Sequence, residues 1–304
     1  MRTAWLFPGQ GSQIVGMGKA LASAFPIAAR TYDEASEALD VDLRALCWDG
    51  PQGELDRTAN AQPAILTTSI AALRVALERG LSADDPICLG HSLGEFSALV
   101  AAGALSLPDA VRLVRRRGQL MQAADPSGGM AAVLGLDADV VARAIEGTGL
   151  VVANDNAPGQ VVISGPLAAF GEATITLRAA GAKRVLPLRV SAAFHSPAMR
   201  PVAPELRKAI AGTPFSALRY TVIANVDAEP HEHASEFPAL LEKQVWSRVR
   251  WVASMRRARG EGATHFVEFG AGNVLAGLAK RIVVNATTAN VSDPASLEEA
   301  LRVR

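Results

Sequence analysis

At 304 residues, 49% of them hydrophobic and only 5% aromatic, the chain can bury a large aliphatic core of the α/β kind and exceeds one average domain. Thirty basic residues balance thirty acidic ones, which leaves no net field to recruit nucleic acid or an anionic membrane. Two distant cysteines, Cys47 and Cys88, argue against a disulfide framework, no apolar run approaches membrane length, and residues 3–7 are too short for a signal sequence, so a cytoplasmic protein is expected.

The first predicted strand, Ala4–Phe7, runs into Pro8-Gly9-Gln10-Gly11-Ser12-Gln13. Its glycine spacing fits neither a phosphate-binding loop nor a dinucleotide fingerprint, which leaves a plain turn or a ligand-contacting loop. Helical patterns follow over roughly 15–40 and 61–79. The next strand, at 86–91, carries the most informative stretch, Ile87-Cys88-Leu89-Gly90-His91-Ser92-Leu93-Gly94-Glu95. Gly90-x-Ser92-x-Gly94 has the spacing of a nucleophile elbow, in which a tight strand-to-helix turn presents a serine hydroxyl. The glycines suit a turn whose backbones approach too closely for a β-carbon. Ser92 would then lie at a helix N-terminus, where unpaired N–H groups favour developing negative charge.

Helices are predicted over 95–102 and 107–121, the second capped by Ser106 with Asp109 three residues on. Val111, Val114, Leu120 and Met121 make its apolar stripe. Arg112, Arg115 and Arg116 fall away from that stripe as a solvated face, whereas Arg117 is spaced onto the apolar side. A buried guanidinium needs an anionic partner. An internal salt bridge or a snorkelling stem would each serve as well as a ligand.

Asp125–Gly129 is a break. Beyond it the pattern is strand (130–136), helix (138–146), strand (150–153), strand (160–164), helix (166–180) and strand (183–190), the βαββαβ order of a ferredoxin-like unit. Asn154–Gly159 is predicted as the turn between the middle strands. This unit, 126–192, looks inserted into one α/β domain formed by 1–125 and 193–304.

The chain returns at Ser191-Ala192-Ala193-Phe194-His195-Ser196-Pro197. His195 lies where two subdomains would meet and is the best-placed base, although a structural role competes. His91 is expected to point away from the serine, and His265 to pack within a strand at 264–269. His231 and His233 share a polar loop without a further ligand cluster, so no metal is expected. Strands at 220–225 and 288–291, a helix at 273–283 and a short charged terminal helix complete the pattern.

Five separated motifs then occur in one order: Phe7–Gln13, Gly90–Glu95, Arg117-Gly118-Gln119-Leu120-Met121-Gln122, Asn154–Gln160 and Phe194-His195-Ser196. Together they resemble the malonyl-CoA:acyl carrier protein transacylase family from residue 4 to about residue 283. The resemblance implies an α/β-hydrolase-like domain carrying a ferredoxin-like insertion. It implies Ser92 as nucleophile and His195 as base, with the N–H groups of Gln10 and Leu93 as the oxyanion hole. It implies Arg117 as a bidentate clamp for the malonyl carboxylate, Gln62 near the acyl pocket, and Gln244 as source of the carbonyl that orients the histidine. Phe194 would fill the space a 2-methyl branch needs. Malonyl-CoA and acyl carrier protein are the implied partners, fatty acid biosynthesis the implied setting, and no cofactor is implied. A polyketide-synthase acyltransferase, a malonate decarboxylase subunit, a serine hydrolase and a non-catalytic carrier-binding protein are the alternatives. Two departures stand out: Gly270-Ala271-Gly272-Asn273 replaces Gly-Pro-Gly-Lys, and Arg248 replaces a common proline.

Overall fold

The computed structural model describes residues 2–302. Its ten strands are, in chain order, β1 (Arg2–Phe7), β2 (Ile87–Gly90), β3 (Gly128–Leu134), β4 (Val151–Ala157), β5 (Gln160–Pro166), β6 (Arg184–Pro187), β7 (Val222–Ile223), β8 (Pro230–His231), β9 (Ala263–Phe269) and β10 (Thr287–Val291). They form two sheets, ordered β10-β9-β1-β2-β7-β8 and β4-β5-β3-β6.

The larger sheet is parallel except for the short β7–β8 pair. A parallel sheet is covered on both faces, which is why β1 and β2 read as continuous apolar runs. Trp5, Phe7 and Phe269 face one side with the helices Thr58–Glu78 and Gly94–Ala101; Ala4, Leu6 and Phe266 face the other with Trp251 and Leu275.

The smaller sheet is antiparallel throughout, with the strand order of a ferredoxin-like βαββαβ unit. Val133, Val161 and Ile163 pack against Val141 and Leu177 of its two helices. The chain is therefore α/β, a hydrolase-like parallel sheet with a second, small antiparallel one.

Several elements differ from the sequence expectation. The stretch predicted as the 154–159 turn is strand through Ala157, and only Pro158-Gly159 turns, with Gly159 at φ 72°. Register shifts at Val152/Asn154 and Asp155/Ala157 let these polar residues stay paired while bending the strand. Asn154 also bridges to Val249, joining the small sheet to the large domain. β6 stops at Pro187, and β7 keeps only two residues of the predicted 220–225 strand. The 15–40 pattern resolves into two helices, Lys19–Ala24 and Pro26–Leu39, divided at extended Phe25.

Candidate active site

Ser92 occupies the turn between β2 and the Gly94–Ala101 helix at φ 51°, a left-handed conformation that strains a residue with a side chain. Both flanking glycines are required by contact. A Cβ on Gly90 would come within 1.8 Å of the Gly94 carbonyl carbon, and one on Gly94 within 2.0 Å of the Phe7 oxygen. Three hydrogen bonds hold the strained residue. The Ser92 N–H donates to Asn225 Oδ1 (2.7 Å), Asn225 Nδ2 donates to the Gly90 carbonyl (2.7 Å), and Gln244 Nε2 donates to the Ser92 carbonyl (2.9 Å). His91 does turn away. Its Nε2 lies 2.8 Å from Asn156 Oδ1 and its ring 5.5 Å from that of Trp251, so it ties β4 to the elbow.

His195 reaches the serine from the loop after the small sheet, its Nε2 2.7 Å from Ser92 Oγ. Its Nδ1 faces two main-chain carbonyls, Gln244 at 3.0 Å and Ser247 at 3.2 Å. Carbonyls only accept, so Nδ1 carries the proton and Nε2 is left bare toward the hydroxyl. Burial, and secondarily the Arg117 charge, push its pKa down to about 3, so the imidazole is neutral at pH 7. No acid contacts this ring among the described residues. Phe194 beside it is buried within the core of the large domain.

The Pro8–Gln13 loop abuts the elbow: a Cβ on Gly9 would lie 2.4 Å from the His91 carbonyl oxygen. Gln10 is held by its side chain, which donates to Thr58 Oγ1 at 3.2 Å, and Gln13 binds Asp56. Among the described residues the backbone N–H groups of Gln10 and Leu93 donate to no protein acceptor, leaving both free for an oxyanion.

Arg117 is 1% exposed. Its Nη1 donates to Gln62 Oε1 (2.8 Å), and its Nη2 to Gln244 Oε1 (2.9 Å) and Ser92 Oγ (3.3 Å), while Phe96 lies 5.4 Å beneath it. Nε is buried without a partner, and no carboxylate forms an ion pair with this arginine among the described residues. The internal salt bridge that would have explained a buried guanidinium is absent from that set. Burial lowers its pKa only to about 10, so it stays charged at neutral pH. Amide oxygens solvate the cation but do not neutralise it. A carboxylate could still pair with it directly.

The rest of the Arg117–Gln122 motif builds this position. A Cβ on Gly118 would meet the Thr58 carbonyl oxygen at 2.7 Å, so glycine lets the Leu107–Gln122 and Thr58–Glu78 helices close together. Pro63 lies inside the latter helix and has no N–H to give the Ala59 carbonyl four residues back. Arg115 Nη1 supplies the missing donor at 3.0 Å, and Gln122 Oε1 accepts the Ala59 N–H at 3.1 Å. Arg115 is thus half-buried rather than part of the solvated face assigned to it with Arg112 and Arg116.

Glu95, Asn225, Asn156 and the Ser247 carbonyl escaped sequence reasoning. Asn225 carried a signal, a polar residue ending an apolar run, whereas Glu95 reads as an ordinary first-turn acid of a helix. Arg248 pairs with Asp155 at 2.8 Å, across the junction between the two sheets. His231 is engaged by Asp227 and Glu236, and His265 by Thr264.

The chain matches the acyl transferase domain over residues 4–293. It is 44% identical to the malonyl CoA-acyl carrier protein transacylase of Bacillus subtilis, covering 99% of this chain and 96% of that one. It is 45% identical to the protein of the same name from Salmonella typhimurium, over 98% of each. An acyl carrier protein S-malonyltransferase from Vibrio cholerae superposes with a TM-score of 0.95 at 42% identity, over 98% of this chain and 99% of that one. A malonyl-transacylase solved in complex with a type II polyketide acyl-carrier protein superposes with a TM-score of 0.95 at 41% identity, over the full length of both chains.

Proposed function

The chain belongs to the acyl transferase family, and from that membership we propose that it is a malonyl-CoA:acyl carrier protein transacylase serving fatty acid biosynthesis, with Ser92 as its acyl carrier. The observation that carries the malonyl assignment is Arg117: a buried, charged guanidinium that no carboxylate contacts among the described residues, 3.3 Å from the serine hydroxyl.

His195 Nε2 takes the Ser92 proton as Oγ attacks the thioester carbonyl of malonyl-CoA. The Gln10 and Leu93 N–H groups receive the oxyanion, and Arg117 holds the far carboxylate. Collapse expels the CoA thiolate, which leaves as thiol with the proton from His195. The second half runs in reverse. His195 deprotonates the pantetheine thiol of the carrier protein, and that sulfur attacks the malonyl ester. Nδ1 stays bound to the Gln244 and Ser247 carbonyls throughout, so two neutral dipoles do the orienting that an acid does in serine hydrolases. Gln62 positions Arg117, and Phe194 closes the space beside the base. The reaction needs no cofactor, and the cytoplasm holds both substrates. The polyketide carrier bound by one close structural relative offers the same pantetheine thiol, so a polyketide carrier is a second acceptor reading.

Intact mass after mixing with malonyl-CoA tests the proposal. A malonyl adduct on the wild-type protein, absent from Ser92→Ala, is expected. No adduct on the wild type refutes the assignment.

A further inference from the structure

Glu95 has no part in the steps above, yet it is fully buried beside them. Its Oε2 accepts from the Asn225 N–H at 3.0 Å and from Gln244 Nε2 at 2.9 Å, while Oε1 is buried with no partner. The opposite end of the same Gln244 amide, Oε1, accepts from Arg117 Nη2. One amide therefore bridges a buried acid and a buried cation that do not touch. The charged groups facing Glu95 are Arg117, from the Leu107–Gln122 helix, and Asp227, from the turn after β7. His91 and His195, which flank the same elbow, have their pKa values lowered by burial. Burial is the largest influence on Glu95 and lifts its pKa to about 7.

With the site empty, an ionised Glu95 and Arg117 sum to zero. A malonyl carboxylate on Arg117 places a second anion against a single buried cation. Two carboxylates in one water-poor site do not both remain ionised near neutral pH.

We propose that Glu95 is the resident counter-charge of Arg117 and yields that charge to the acyl carboxylate. Malonyl loading takes up one proton from solvent onto the Glu95 carboxyl, and acetyl loading takes up none. The inference rests on Arg117 being the carboxylate clamp. The uptake is separate from the transfer chemistry, in which the serine proton leaves on CoA through His195 as the C–S bond breaks and the ester C–O bond forms. The unpartnered Oε1 is the oxygen that protonates. When the acyl group departs, the proton returns to solvent and the empty site is neutral again.

The test is kcat/KM for loading from malonyl-CoA and from acetyl-CoA between pH 6 and 9. Taking the ratio cancels any titration of His195, which serves both acyl groups. In the wild type the malonyl-to-acetyl ratio should fall by about tenfold per pH unit above neutrality, the slope of one linked proton. In Glu95→Gln, which keeps an acceptor oxygen for Asn225 and Gln244, the ratio should be flat. A flat wild-type ratio, or an unchanged slope in Glu95→Gln, overturns the proposal. Should that variant not fold, calorimetric binding of malonyl-CoA to Ser92→Ala in two buffers of different ionisation heat reads the proton directly. Near pH 8, uptake approaching one proton beyond the acetyl-CoA value is expected, and no excess overturns the proposal. If wild-type protein forms no malonyl adduct, the reading of the site has failed; an adduct formed without proton uptake removes only the role of Glu95.

Discussion

Arg117→Ala separates the carboxylate clamp from the rest of the machinery. The guanidinium has a buried Nε without a partner, and Nη1 uses only one of its two hydrogens, on Gln62, so it retains donors for a carboxylate. Removing it leaves the malonyl carboxylate buried opposite an alanine. A buried charge stripped of its partner costs about 3–5 kcal/mol. At 1.36 kcal/mol per tenfold, kcat/KM for malonyl loading should fall by about 10²- to 10⁴-fold. Acetyl loading engages no carboxylate and should stay within about tenfold of wild type, the margin allowing for the lost hydrogen bond to Ser92 Oγ. Deleting the cation also orphans the Gln62 and Gln244 amides, so a melting curve must confirm folded protein at the assay temperature. Rapid-quench mixing with each thioester, followed by intact mass, gives both rates from one sample. Malonyl loading within about threefold of wild type would refute the clamp.

Three further outcomes follow. Because burial holds the His195 pKa down to about 3, kcat/KM for acetyl loading should be level from pH 8 to pH 5; a fall centred near 6.5 would show an ordinary histidine. Phe194→Ser should raise methylmalonyl transfer relative to malonyl transfer in a competition assay, and no gain removes Phe194 as the selector. Glu268 is buried, accepts the Ala276 N–H at 2.9 Å, and has its pKa lifted by burial to about 7. A raised carboxyl pKa gives stability that is present below the unfolded value of 4.5 and lost as pH climbs through 7. Glu268→Gln should therefore flatten part of the fall in melting temperature between pH 5 and 8, and an unchanged slope contradicts the assignment.

The readable parts of this molecule are those encoded over a few residues. The elbow is local, since Gly90 and Gly94 are dictated by one turn, and so is the apolar alternation of the inserted sheet. Arg117 was legible as an anomaly because a cation on an apolar stripe breaks the helical pattern. Its solution was not legible, because Gln62 and Gln244 come from helices 55 positions before and 127 after it. Asn154–Asn156 misled for the opposite reason. Their composition is that of a turn, but Asn154 bridges to Val249 and Asn156 binds His91, and these tertiary contacts outweigh local preference. Glu95 lay in plain view within a motif, with nothing in its neighbours to show that it would be sealed from water.

The position of β1 governs when the enzyme can exist during synthesis. Ala4 pairs with Ile87 on one side and with Phe266 on the other, so a strand made first waits for one made 262 residues later. At about 5–20 residues per second, that wait is roughly 13–50 s on the ribosome. Over the same interval Ser92 is translated well before His195, Asn225 and Gln244, the groups that contact and brace it. A nascent chain therefore exposes an unfinished sheet edge and an unactivated serine together. Folding assistance during that interval should matter more for the yield of this protein than for its reactivity, because acylation must await the residues that also close the fold.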